Sequence, residues 1–180
     1  NLAIITNIAE AHIENFNNIK GIAKAKSEII QNIQKNGTVI LNRDDKFFDY
    51  LNIKAKSKNI KVVSFGTSKK SDIYLKDLKQ RGSTKEITIS VNNEILRFKI
   101  KDINIFNVLA SIAVLKELDL SFHKAIQEFK NLKPTEGRGR TYKIRRYKKV
   151  FKLIDESYNA NPLSVKNAIN NFSSIKKDRF

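Results

Sequence analysis

Short apolar runs alternate with amphipathic stretches through the first 66 residues, and this rhythm limits the chain more than any other feature. "LAIIT" (2–6), "TVILN" (38–42) and "IKVVSFG" (60–66) are almost continuously apolar. That is the pattern of strands covered on both faces. Between the first two, residues 18–34 have helical spacing, with a cap expected at Asn17 or Asn18 and a stop at Gly37. "DDKFFDYLNIKAKS" reads as a shorter helix opened by Asp44 or Asp45. Strand, helix, strand, helix, strand predicts a mainly parallel α/β sheet.

The pattern changes after residue 66. "DIYLKDLKQ", "KEITISV" and "EILRFKI" are strand-like, and the last two flank Asn92-Asn93, a strong hairpin turn. An antiparallel extension of the sheet is therefore expected. Residues 104–118 form a helix with Ile105, Val108, Leu109, Ile112 and Leu115 on one face. Ser121 caps a further helix, "FHKAIQEFKNL". "KPTEGRGR" (133–140) is the best linker candidate, since it holds one of the two prolines and two of the six glycines. "TYKIRRY" and "VFKLIDE" follow as strands, and "NPLSVKNAINNF" as a helix starting near Pro162.

Composition narrows the chemistry. The 180 residues are 41% hydrophobic, enough for a buried core. There is no cysteine, which excludes disulfides and thiolate catalysis and suits a reducing cytoplasm. No apolar run approaches the roughly 18 residues that cross a bilayer. The first residue is asparagine and a strand begins at once, so the chain reads as cut from something longer. The formal charge of +17, from 35 Lys+Arg against 18 Asp+Glu, would draw nucleic acid, acidic lipid or phosphorylated ligands if it were concentrated. It is scattered instead. Lysine, isoleucine and asparagine all have AT-rich codons, so solvated surface charge is the plainer reading.

Two places carry unusual chemistry. His12 and Glu14 lie in the polar loop after the first strand, and open parallel sheets gather ligands at the carboxyl ends of strands. The pair suits a metal or a phosphate; the bland alternative is a surface loop. Lys26 stands four residues after Ile22 and four before Ile30, in a stripe with Ile19, Ile29 and Ile33, whereas Lys20, Lys24 and Glu28 point away. Such a lysine either snorkels to water or is withdrawn from it, where its amine becomes a better nucleophile. A neutral amine can take up carbon dioxide as a carbamate, an anionic oxygen ligand suited to magnesium.

Four stretches, "AHIENFNNIKGIAKAKSEII", "INIFNVLASIAVLKELDLS", "LKPTEGRGR" and "LIDESYNANPLSV", stand in the order and spacing of the Mur ligases. The chain resembles that family over nearly all its length. "SYNANP" is most similar to the members that add D-alanyl-D-alanine. The resemblance implies ATP and Mg2+ as cofactors. It implies UDP-N-acetylmuramoyl-tripeptide and D-alanyl-D-alanine as substrates, joined through an acyl phosphate in peptidoglycan precursor synthesis. It also implies a cytoplasmic monomer with no nucleic-acid or membrane partner. Lys26 matches the carbamylated lysine, and His12 matches a ligand of the same magnesium. Asn104 and Asn107 match two asparagines that touch adenine; their plainer roles are an N-cap and a helix-surface residue. Arg138 matches a hinge arginine that reaches the nucleotide, and Glu156 a residue opposite the ribose or phosphates. Tyr158 and Asn159 share that loop as weaker substrate or hinge candidates.

The sequence departs from the family in three respects. Ile103 stands where the family often has histidine, Glu156 is one methylene longer than the usual aspartate, and no Gly-Lys-Ser/Thr phosphate loop occurs. Residues 1–135 are expected to be the later part of the central ATP-binding domain. Residues 136–180 are expected to be the hinge and the start of a second, Rossmann-like α/β domain. The isolated chain is expected to be inactive. Two other classes remain open. One is a non-catalytic remnant; the other is a basic nucleic-acid module built on "RGRTYKIRRYKK" (138–149), with Tyr142 and Tyr147 as stacking residues.

Overall fold

The computed structural model describes residues 1–10, 16, 18–81, 84–101, 103–158 and 162–173. In chain order the elements are β1 (Leu2–Ile5), α1 (Ile19–Gln31), β2 (Thr38–Asn42), α2 (Phe48–Lys56), β3 (Lys61–Gly66), β4 (Ile73–Arg81), β5 (Thr84–Val91), β6 (Glu94–Lys101), α3 (Ile105–Glu117), α4 (Phe122–Phe129), β7 (Arg140–Arg146), β8 (Lys149–Asp155) and α5 (Pro162–Ser173). The first six strands form one sheet in the order β1-β2-β3-β4-β5-β6, and β7 and β8 pair separately. The pairings β1–β2, β2–β3 and β3–β4 are parallel, while β4–β5 and β5–β6 are antiparallel.

The sheet is covered on both faces, as its apolar strands require. Val39, Ile40 and Leu41 of β2 are all fully buried. Because side chains alternate along a strand, Val39 and Leu41 meet Ile22, Ala23 and Ile30 of α1 and Phe48, Leu51 and Ala55 of α2. Ile40 turns the other way, into a core with Val63, Phe65, Ile73 and the α3 residues Val108, Leu109, Ile112 and Ala113. Phe129 of α4 extends this second core and stacks on Phe98, with ring centroids 5.9 Å apart. Having α1 and α2 on one face follows from two successive crossovers stepping the same way along a parallel sheet.

The hairpin at Asn92-Asn93 is present, with φ of 47° and 72°, the two left-handed residues that this tight turn requires. Helix α1 is capped by Asn18, one of the two residues expected, whose side-chain oxygen accepts from Gly21 N–H at 3.1 Å. Other local expectations are corrected. The helix ends at Gln31, and the left-handed residue before β2 is Asn36, at φ 67°. Gly37 serves close packing instead: a Cβ there would run into Ile33 Cγ2 and lie 2.8 Å from the Asn1 carbonyl oxygen. Neither Asp44 nor Asp45 caps α2, whose N-cap position is Phe47 with no side-chain cap bond. Asp45 Oδ1 accepts from Phe47 N–H at 2.8 Å and Asp44 Oδ2 from Thr67 N–H at 2.7 Å, so both tie loops. Ser121 occupies the N-cap of α4 without a side-chain bond.

Candidate active site

Three groups of residues carry the candidate chemistry, each on a different element. The first is at the carboxyl end of β1. There the chain leaves the sheet through Thr6, Asn7 and Ile8, and three bonds fix its path. Asn42 Nδ2 donates to Thr6 O at 3.1 Å, Lys26 Nζ donates to Asn7 O at 2.9 Å, and Ile8 N–H donates to Asp45 Oδ2. Lys26 also lines an open cleft of about 350 Å³ with Ile4, Ile5, Thr6, Asn7, Ala25 and Ile29. Lys24 does not line it.

Burial does not set Lys26 apart. The buried residues of α1 are Ile22, Ala23, Ser27 and Ile30, while Lys26 is exposed and Ile29 is 44% exposed. The stripe is narrower than the isoleucine spacing predicts, and Lys26 lies at its edge. The site distinguishes Lys26 from Lys24 by reach: its amine arrives at the strand end where ligands gather. His12 and Glu14 lie outside the described residues. Among the described residues, no three of His, Cys, Asp and Glu gather to hold a metal. The donor set near Lys26 fits one only if the amine becomes a carbamate, which would replace a cation by two oxygens sharing one negative charge.

The second group opens α3. Asn104 is its N-cap, and the side-chain oxygen accepts from Phe106 N–H at 2.8 Å. The amide NH2 is then the group that Asn104 offers a ligand. Asn107, one turn on, is exposed, and its backbone oxygen accepts from Ser111 Oγ at 2.9 Å. Both side chains stand at the exposed start of a helix that buries Val108, Leu109, Ala110, Ile112 and Ala113.

The third group joins the linker to the end of β8. Gly137 and Gly139 have φ of 71° and 85°, which residues with a Cβ rarely adopt. Gly139 N–H donates to Asp155 O at 2.8 Å, and Tyr158 N–H donates to Gly137 O at 3.1 Å. Between the glycines, the Arg138 guanidinium carbon lies 4.1 Å from the centroid of the Tyr158 ring. Glu156 packs against the same loop: its Oε1 lies 3.2 Å from where a Cβ on Gly139 would stand. Arg138, Glu156 and Tyr158 are thus brought together, whereas Asn159 lies outside the described residues.

Sequence reasoning passed over Asp155. Its Oδ2 accepts from Gly137 N–H at 3.1 Å, and its Oδ1 accepts from Ser157 N–H at 3.1 Å and from Ser157 Oγ at 2.6 Å. The Ser157 hydroxyl first, then the Ser157 and Gly137 amides, hold the carboxyl below its ordinary value, while partial burial works the other way. An Asp-x-Ser at a strand end, a frequent Asx-turn signature, was the available signal. Ser27 was passed over as well. It is fully buried beside Lys26, donates to Lys24 O at 2.6 Å and accepts from Lys54 Nζ at 2.6 Å.

Comparison with known proteins matches the chain to one family. The Mur ligase middle domain model matches residues 1–115. The UDP-N-acetylmuramoyl-tripeptide–D-alanyl-D-alanine ligase of Rickettsia prowazekii is 30% identical over 99% of this chain and 40% of its own length. The Escherichia coli protein of that name is 30% identical over 93% of this chain and 37% of its own. Among solved structures, MurF from Acinetobacter baumannii superposes with a TM-score of 0.81 at 26% identity, over 94% of this chain and 36% of that one. MurF ligase from Thermotoga maritima, solved with ADP, gives a TM-score of 0.78 at 24% identity over 94% of this chain and 38% of that one, a likeness of fold. The chain therefore spans about two fifths of the length of these curated relatives. A middle-domain match that takes in all six strands of the main sheet, together with a relative 30% identical over 99% of this chain, makes the chain a member of the Mur ligase family.

Proposed function

We propose that this chain is part of an ATP-dependent ligase that adds D-alanyl-D-alanine to UDP-N-acetylmuramoyl-tripeptide. Residues 1–135 would belong to the nucleotide-binding domain, and residues 136–180 to the hinge and the start of a second domain. The observation that carries the reading is the Lys26 amine standing on the Asn7 carbonyl at the end of a parallel strand, 2.9 Å away. Lys26, as a carbamate, and His12 would hold Mg2+, which supplies charge neutralisation for phosphoryl transfer. The Asn104 and Asn107 amides would orient the adenine. Arg138 would pair with phosphate oxygens through its planar fork. Glu156 and Tyr158 would sit at the nucleotide's edge of the hinge. Together these groups bind, align and exclude water while the chemistry passes through the substrate's own carboxylate.

Two measurements test this reading. With 13C-labelled bicarbonate, the chain should show a carbamate carbon resonance that disappears in Lys26→Arg. Its absence at all bicarbonate concentrations would remove the metal-ligand role. The full-length protein should release phosphate only with ATP, the tripeptide nucleotide and the dipeptide together, while the 180-residue chain alone should not turn over.

One observation favours a second reading. Arg145, Arg146, Tyr147, Lys148, Lys149 and Val150 surround an open hollow of about 410 Å³ at the tip of the β7–β8 hairpin, where Tyr147 is 79% exposed. A basic ribbon with an exposed ring suits single-stranded nucleic acid. Salt-dependent retention on single-stranded DNA, lost in Arg145→Ala/Lys149→Ala, would support it; no retention at low salt would dismiss it.

A further inference from the structure

Arg138 is an exposed side chain on a glycine-flanked linker, a setting in which an arginine ordinarily samples many rotamers. Here its backbone is fastened on both sides. Asp155 takes Gly137 N–H on its carboxylate at 3.1 Å and Gly139 N–H on its backbone oxygen at 2.8 Å. The carboxylate is itself held from the other side by Ser157 N–H at 3.1 Å and Ser157 Oγ at 2.6 Å. The neighbouring carboxylate, Glu156, faces Gly139 from the side-chain direction. Asp155 thus holds the linker backbone, and the guanidinium is left across the Tyr158 ring at 4.1 Å.

We propose that Asp155 is a positioning residue for Arg138: by clamping Gly137 and Gly139 it aims the guanidinium across Tyr158 for the phosphates of a bound nucleotide. The aim at phosphate rests on the ligase reading above; the clamp does not. A guanidinium donates to two phosphate oxygens at once only when its plane is oriented, so a linker that fixes the plane lowers the ordering cost of binding. A guanidinium seated over the ring meets its face without spending N–H donors on it.

Asp155→Asn tests the clamp, because it keeps the size but leaves one acceptor oxygen, which cannot serve Gly137 and Ser157 together. In the 180-residue chain, amide exchange at Gly137 should rise about tenfold, that at Gly139, whose acceptor is the retained backbone oxygen, should rise less, and amides of β2 and β3 should be unchanged. The ring-current shift of the Arg138 side-chain protons should shrink in parallel. Ser157→Ala, which removes one bond to Oδ1, should move both readouts less and in the same direction. Unchanged exchange at Gly137 would overturn the clamp. In the full-length ligase, Asp155→Asn should raise KM for ATP about fivefold, with little change in kcat. It should have no further effect once Arg138 is alanine, and an equal effect in both backgrounds would overturn the positioning role. An inactive full-length protein would refute the ligase reading, while amide exchange would still decide the clamp.

Discussion

Ser27 sits beside Lys26 on α1 and decides how that helix seats on α2. Its hydroxyl is fully buried, donates to Lys24 O at 2.6 Å and accepts from Lys54 Nζ at 2.6 Å, with Tyr50 Oη 3.4 Å away. Ser27→Ala removes the acceptor of a charged donor in a half-buried position. A hydrogen bond to a charged group is worth roughly 1.5–3 kcal/mol. The Lys54 amine keeps some access to water, so the expected loss is about 1.5 kcal/mol. Lys54→Met removes the donor and its need together. Ser27 still donates to Lys24 O, and the methionine covers the same apolar surface, so this change costs less than about 1 kcal/mol. In the methionine background, Ser27→Ala should cost only about 0.5 kcal/mol, a coupling of about 1 kcal/mol. Urea unfolding of the four proteins at constant slope measures the cycle. In heat, Ser27→Ala alone should lower Tm by about 3–6 °C for a chain of this size. Additivity within about 0.3 kcal/mol, or a larger loss from Lys54→Met than from Ser27→Ala, would refute the reasoning.

Acid should release the linker before it unfolds the sheet. The Asp155 carboxylate is held below its ordinary value of 3.8, so its contribution is fully present above that pH. It is lost as pH falls below 3.8 through the lowered value, and the Gly137 amide shift should titrate over that window. A Gly137 shift that stays flat down to the acid unfolding transition would count against the bond. At the tip of β7–β8, Tyr147 and Lys148 hold φ of 53° and 59° without being glycine. Lys148→Gly should therefore stabilise the hairpin by about 0.5–1 kcal/mol, read as slower amide exchange along β7; faster exchange would show that the lysine side chain matters more than the backbone.

What the sequence made legible was whatever depends on one segment at a time. Continuous apolar runs marked β1, β2 and β3, and Asn92-Asn93 marked a turn that needs two left-handed residues. The parallel class of the first part of the sheet followed from the same rhythm. Contacts between distant segments were not legible. Asp72 Oδ2 accepts from Ser64 N–H at 2.7 Å and Ser64 Oγ at 2.6 Å beside the short parallel pairing of β3 with β4, and no local periodicity announces such a clasp. Lys26 shows the same limit. Helical spacing placed it inside the isoleucine stripe, yet spacing cannot tell how wide a face the sheet covers, and the exposed Ile29 marks where coverage stops. Among the candidate residues, Arg138 and Tyr158 do touch, and Glu156 packs beside them against Gly139. Asp155 carried a local signal in its bonds to Ser157, but its hold on Gly137 and Gly139 runs through backbone amides eighteen and sixteen residues away, which a sequence does not display.

The bonds from Asp155 and Tyr158 back to Gly137 and Gly139 also move the pivot. A segment laced to β8 on both sides of Arg138 turns with the hairpin as one lever arm. Any swing of the hairpin relative to the six-stranded sheet must then be taken up upstream, in the stretch from Leu132 to Thr135 that follows α4. Pro134 stiffens that stretch at its middle, leaving few torsions to share the rotation. The arc open to the guanidinium is set there, several residues away from the arginine itself.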